Sequence, residues 1–171
     1  MKMVLFDLGE TLEDIIGGQD ILLPGARETL RAIQKMKDAD GKPPILALVS
    51  DFGDLGATPE EVAASQKEYF KILENLGIRS FFEPLAQRVT LSTEAGAPKP
   101  EKKIFQTAIN KIPGLRFSDV LFITEESKHV KKARTLKMQA IHFKGPGETT
   151  GDVDKLTDLI PLVRKFLGAV P

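Results

Sequence analysis

Cysteine is absent from all 171 residues. That excludes disulfides, thiolate zinc sites and cysteine nucleophiles together, and it fits a reducing compartment, so a cytoplasmic location is expected. Charge of one sign is not in excess either. Lys plus Arg number 24 and Asp plus Glu 24, which leaves no net field to draw the chain to nucleic acid or to an acidic membrane. Long hydrophobic runs are also missing. The N-terminal run ends at Asp7, far short of a signal-peptide core, and no segment approaches bilayer-spanning length. A soluble protein with no nucleic-acid and no membrane partner is expected. The length suits one well-buried domain spanning residues 1–171 and is too short for two of ordinary size.

What is present is a succession of short apolar runs. KMVLF (2–6), ILALVS (45–50), RVTLS (88–92), DVLFIT (119–124) and QAIHF (139–143) read as strands, the first, second and fourth apolar enough to be covered on both faces. Between them lie helical patterns: Ala26, Leu30, Ile33 and Met36, stopped by DADGKPP; then Val62, Tyr69, Ile72, Leu73 and Leu76, closed by Gly77. TPEE opens that second helix, with Thr58 as N-cap, Pro59 at the first helical position and Glu61 completing a capping box. Ile104, Phe105, Ala108, Ile109 and Ile112 mark a third helix, and Val130, Ala133 and Leu136 a fourth. Leu159, Leu162, Val163 and Phe166 mark a last one, in which Pro161 predicts a late start or a kink. The stretch 145–152, GPGETTGD, reads as a flexible loop.

Strands alternating with helices predict an α/β fold: a three-layer, doubly wound, mostly parallel sheet with helices on both faces. Such sheets bind ligands beyond the carboxyl ends of their strands, where strand order reverses. Asp7, Ser50 and the Glu125–Glu126 pair all follow strands at that edge. Taken singly, each has an ordinary structural explanation. Asp7 can solvate a strand end, Ser50 can cap a helix, Lys99 can be a solvated charge, and EESK can be a helix turn with acids suited to the dipole.

Together and in this order, four segments resemble the haloacid dehalogenase (HAD) superfamily of phosphatases and phosphotransferases. FDLGETL (6–12) is similar to the first motif of that family, LVSDF (48–52) to the second, LSTEAGAPKPEKKIF (91–105) to the third and VLFITEESKHVKKARTLKM (120–138) to the fourth. The resemblance implies a Rossmann-like core with Asp7 as nucleophile, forming an aspartyl phosphate that splits one difficult step into two. It implies that Ser50, Asp51 and Lys99 bind the phosphate, with Ser50 and Lys99 also stabilising transferring charge. Mg²⁺ would be the cofactor, held by Asp7, the Gly9 carbonyl and Glu125, and would screen the two anions from each other. No cap domain fits, since only 12–24 separates the first motif from the next helix and one helix and one strand fill the later gap. An open cleft suits a bulky or macromolecular phosphorylated substrate, or closure by another subunit.

Three positions depart from the family pattern. Gly9 stands where the second Asp of Asp-x-Asp serves as general acid and base, a service worth about 10² to 10⁴ in rate, so slow turnover or a good leaving group is expected. Glu10 is the nearest other carboxylate, although adjacent side chains on an extended segment face opposite ways. Thr124 replaces a Gly, and His129 replaces a metal-binding Asp. Imidazole suits softer metals, so His129 is expected as a polar surface residue on the first turn of its helix. Two functions compete: a Mg²⁺-dependent phosphomonoester hydrolase or phosphotransferase of low activity, and a catalytically inactive relative serving as a phosphate-binding or protein-interaction module.

Overall fold

The computed structural model describes residues 1–146 and 149–168. The chain runs β1 (Met3–Phe6), β2 (Glu13–Ile16), β3 (Gln19–Leu22), α1 (Ala26–Gln34), β4 (Ile45–Ser50) and α2 (Pro59–Asn75). It continues through α3 (Leu85–Arg88), β5 (Val89–Leu91), α4 (Ser92–Ala95), α5 (Lys102–Asn110), β6 (Val120–Thr124), α6 (Ser127–Thr135), β7 (Gln139–His142) and α7 (Leu159–Leu167).

Five of the strands form one sheet in the order β5–β4–β1–β6–β7, with every pairing parallel. The expected KMVLF strand is thus its centre. Because side chains alternate across a strand, β1 feeds two cores. Val4 and Phe6 pack with Leu30 and Ile33 of α1, Leu73 of α2 and Val163 of α7. Met3 and Leu5 pack on the other face with Phe105 and Ile109 of α5 and Val130 and Ala133 of α6. Each parallel crossover therefore brings a helix back onto one of the two faces, giving the three layers. After β1 the chain builds outward through β4 and β5, then returns to place β6 on the other side of β1. The switch point lies at the carboxyl ends of β1, β4 and β6, which end in Phe6, Ser50 and Thr124.

Two helix ends bear on the sequence reading. The capping box of α2 is formed: the Glu61 N–H donates to Thr58 Oγ1 at 3.3 Å, and the Thr58 N–H donates to Glu61 Oε2 at 2.7 Å. Pro161 does not delay the last helix, because α7 begins at Leu159 and Pro161 falls in its first turn, where the backbone N–H has no intrahelical acceptor to lose.

The connection from β1 to α1 is more structured than expected. β2 and β3 form an antiparallel hairpin, with Glu13 opposite Leu22 and Ile16 opposite Gln19. The turn is Gly17–Gly18, with φ of 60° and 77°, a pair of left-handed positions that glycine takes at no steric cost. The hairpin is too small to be a cap domain. The other place for one holds only α2, a 3₁₀ turn at Arg79–Phe82 and α3 before β5 begins. Of the loop read over 145–152, residues 147 and 148 lie outside those described. Its base is closed by the Lys144 N–H donating to the Val153 carbonyl at 2.8 Å. Among the described residues, no helix is long and apolar enough to cross a membrane.

Candidate functional site

Asp7 extends the β1–β6 ladder by one residue, its N–H donating to the Ile123 carbonyl at 2.9 Å. This anchors the backbone where β1 ends and aims a buried carboxylate over the switch point. One carboxylate oxygen, Oδ1, accepts the Leu8 N–H at 2.9 Å. The other, Oδ2, pairs with the Lys99 ammonium, and both side chains are nearly inaccessible to solvent. Lys99 arrives from the loop after α4, and its N–H donates to Asp51 Oδ1 at 2.7 Å. The residue after β4 thus holds the loop that carries the cation.

Thr124 ends β6 and is fully buried. Its hydroxyl lies 3.2 Å from Asp7 Oδ2 and 3.2 Å from Glu125 Oε2. A hydroxyl has one hydrogen to donate, so it serves one of the two carboxylates at a time. Thr11 holds Glu125 from the opposite side: its hydroxyl donates to Glu125 Oε2 at 2.5 Å and accepts the Glu125 N–H at 3.2 Å. His142 Nε2 lies 2.6 Å from the Glu125 carbonyl oxygen, which requires that nitrogen to carry the proton.

Asp7, Gly9, Lys99, Glu125, His129 and Glu13 line one cavity of about 500 Å³. Burial pushes the Asp7 carboxyl above its ordinary value, Lys99 opposes that shift and Glu125 adds to it. A further cation would favour the charged form of both carboxylates. Among the described residues there is no cluster of three or more His, Cys, Asp or Glu that could hold a metal ion. Mg²⁺, however, usually takes one or two carboxylates and completes its shell with water and phosphate oxygens. Asp7 and Glu125, with Gly9 on the same cavity, fit a hard cation weakly held.

Ser50 is buried at the end of β4, but it is not among the residues lining this cavity. Its Oγ lies 2.6 Å from the hydroxyl of Tyr69, on α2. Burial pushes the Tyr69 phenol above its ordinary value, so it stays protonated and can donate to Ser50, leaving the serine hydrogen free for another acceptor.

His129 corrects the expectation of a surface residue. It is buried, its Nδ1 is 4.0 Å from Asp7 Oδ2, and that nitrogen has no hydrogen-bond partner. Ser127 and Lys128 of the same first turn are exposed, and His129 alone of the three faces inward. Burial, with Lys99 adding to it, holds the imidazole below its ordinary value. A neutral imidazole therefore occupies the place of the usual Asp.

Gly9 is exposed, and its φ is not in the left-handed region that favours glycine. Glu10 is exposed as well, with a φ of 55°. The carboxylate that sequence reasoning missed is Glu13, on β2. It is buried, and its Oε2 has no hydrogen-bond partner. Burial, followed by Asp20, Asp14, Glu10 and Asp7, pushes its carboxyl up to about 7. The signal for the hairpin was present, since EDII and QDIL flank Gly-Gly; the turn before it, in which the Leu8 carbonyl accepts the N–H groups of Leu12 and Glu13, brings Glu13 back to Gly9.

No protein-family model and no curated protein matches this chain. Solved structures do. They share the three-layer α/β fold, and they include structures described as HAD-superfamily hydrolases and phosphatases. A HAD phosphatase from Thermococcus onnurineus is similar over 98% of this chain and 98% of its own, at 17% identity and a TM-score of 0.64. A HAD-superfamily hydrolase of subfamily IA from Geobacter sulfurreducens aligns over 83% of this chain and 56% of its own, at 14% identity and a TM-score of 0.58. YfnB from Bacillus subtilis, solved bound to magnesium, covers the same shares at 17% identity and a TM-score of 0.60. This chain thus spans about half the length of those last two.

Proposed function

We propose that the protein is a Mg²⁺-dependent phosphomonoester hydrolase or phosphotransferase that works through an aspartyl phosphate on Asp7, with low activity. The observation that carries this reading is the buried Asp7–Lys99 ion pair beside Glu125 in one cavity at the switch point. Nucleophile and phosphate-binding cation are there held in contact. Asp7 Oδ would attack phosphorus, the Lys99 ammonium would draw the equatorial oxygens, and the Asp51 N–H and the Ser50 hydroxyl would supply further donors. Mg²⁺ would be held by Asp7 and Glu125, with the Gly9 carbonyl, and would neutralise charge between the carboxylate and the phosphate. Thr11 and Thr124 would keep Glu125 aimed at the cavity. Neutral His129 adds no charge to the metal shell, so metal affinity and turnover are low. Among the described residues no cap covers the cavity, which suits a phosphate on a bulky or macromolecular substrate.

Turnover of an activated aryl phosphate, with and without Mg²⁺, tests the reading. Activity that requires Mg²⁺ and disappears in Asp7→Asn is expected. Binding of phosphate without turnover, at saturating Mg²⁺, would instead make the protein a phosphate-binding module.

A further inference from the structure

Gly9 leaves the site without a proton-transferring group on the first motif, and the hairpin fills that space with another carboxyl. An ideal Cβ built on Gly9 would lie 3.6 Å from Glu13 Oε1, in ordinary van der Waals contact. Backbone bonds fix this approach. The Glu13 N–H donates to the Leu8 carbonyl at 3.1 Å, and Gly9 and Glu13 form an isolated bridge. Glu13 is 7% exposed, lines the cavity that holds Asp7 and Lys99, and its Oε2 is buried with no hydrogen-bond partner. A buried carboxyl oxygen without a partner is costly to keep. Nothing in the packing of β2 on β3 requires one, since the partner residue across the hairpin is Leu22.

We infer that Glu13 is the general acid and base of this site, placed by the hairpin where the first motif carries only Gly9. The inference rests on the reading of Asp7 as nucleophile. In the first step the Asp7 oxygen forms a bond to phosphorus and the ester P–O bond breaks. Its electron pair stays on the leaving oxygen, which takes the Glu13 proton and departs as a neutral alcohol. In the second step the Glu13 carboxylate takes a proton from water as the water oxygen bonds to phosphorus. The Asp7–phosphorus bond breaks, inorganic phosphate leaves, and both carboxyl groups return to their starting states.

The test compares alkyl and aryl phosphates in the unmodified protein and in Glu13→Gln, which keeps the shape of the side chain. Turnover of alkyl phosphates is expected to fall about 10²- to 10⁴-fold and that of aryl phosphates by less, because only the alkoxide needs the proton. With an aryl phosphate the variant is also expected to accumulate phosphate on Asp7, since hydrolysis of the aspartyl phosphate lacks its base. Gly9→Asp added to Glu13→Gln is expected to restore alkyl turnover. Equal losses on both classes with no accumulation would overturn the inference, as would unchanged rates. So would a selective loss in Glu10→Gln instead. If Glu13→Gln does not fold, the unmodified protein decides: a shallow dependence of kcat/KM on leaving-group basicity supports Glu13, and a steep one overturns it. No turnover of either class by the unmodified protein would remove the Asp7 reading and this inference together, whereas each of the other failures removes only Glu13.

Discussion

Thr124 and Gly9 depart from the motifs they resemble, and each departure is answered by a neighbour. Thr124 spends its hydroxyl on Asp7 and Glu125, so two like charges share a donor where glycine would have left none. Gly9 has open space that Glu13 enters from four residues away. Glu13 also yields a prediction that does not depend on catalysis. Its carboxyl is raised from an ordinary 4.5 to about 7 by burial and by Asp20, Asp14, Glu10 and Asp7. Between these two values the folded state holds a proton that the unfolded state has released, so stability falls as pH rises. The contribution of Glu13 is fully present below about pH 4.5 and is lost as pH passes through about 7. Urea denaturation across that window, in metal-free buffer, should show a smaller loss of stability in Glu13→Gln than in the unmodified protein. Parallel curves would mean that Glu13 is not protonated in the fold.

The elements divide by how local their causes are. α2 was legible to its end because its stop and start are chemical: Thr58, Pro59 and Glu61 form the cap as read. Thr58→Ala should therefore cost about 1 kcal/mol of stability, read from thermal or urea unfolding, with turnover per folded molecule unchanged. An effect near zero would mean that the cap is frayed in solution. The five sheet strands were legible to within a residue at their ends, because apolar runs bounded by turn formers have few other uses. The hairpin was not read, although Gly17–Gly18 marked it, because β2 and β3 bury little apolar surface: Ile15, Ile16 and Ile21 are exposed. Pro161 was misread because a proline is disruptive only beyond the first turn of a helix.

Across the molecule, Asp7, Lys99 and Glu125 meet at one edge, because parallel topology delivers every strand end to the same side. What the motifs could not supply was direction. Ser50 was placed at the right strand end, yet its hydroxyl meets Tyr69, a contact 19 residues away in sequence that no local pattern encodes. His129 was read outward and points inward, although it lies beside Val130 and four residues before Ala133, on the buried face of α6. The site is therefore a joint product of three connections: the loop and hairpin after β1, the loop after α4 and the turn between β6 and α6.

The central claim is that Asp7 becomes covalently phosphorylated. Rapid quenching after mixing with an aryl or acyl phosphate and Mg²⁺, followed by peptide mass spectrometry, reads this directly. A phosphate adduct on the peptide containing Asp7, absent without Mg²⁺ and absent in Asp7→Asn, is the predicted result. Turnover that persists in Asp7→Asn, or turnover in the unmodified protein with no adduct on that peptide at any quench time, would contradict it.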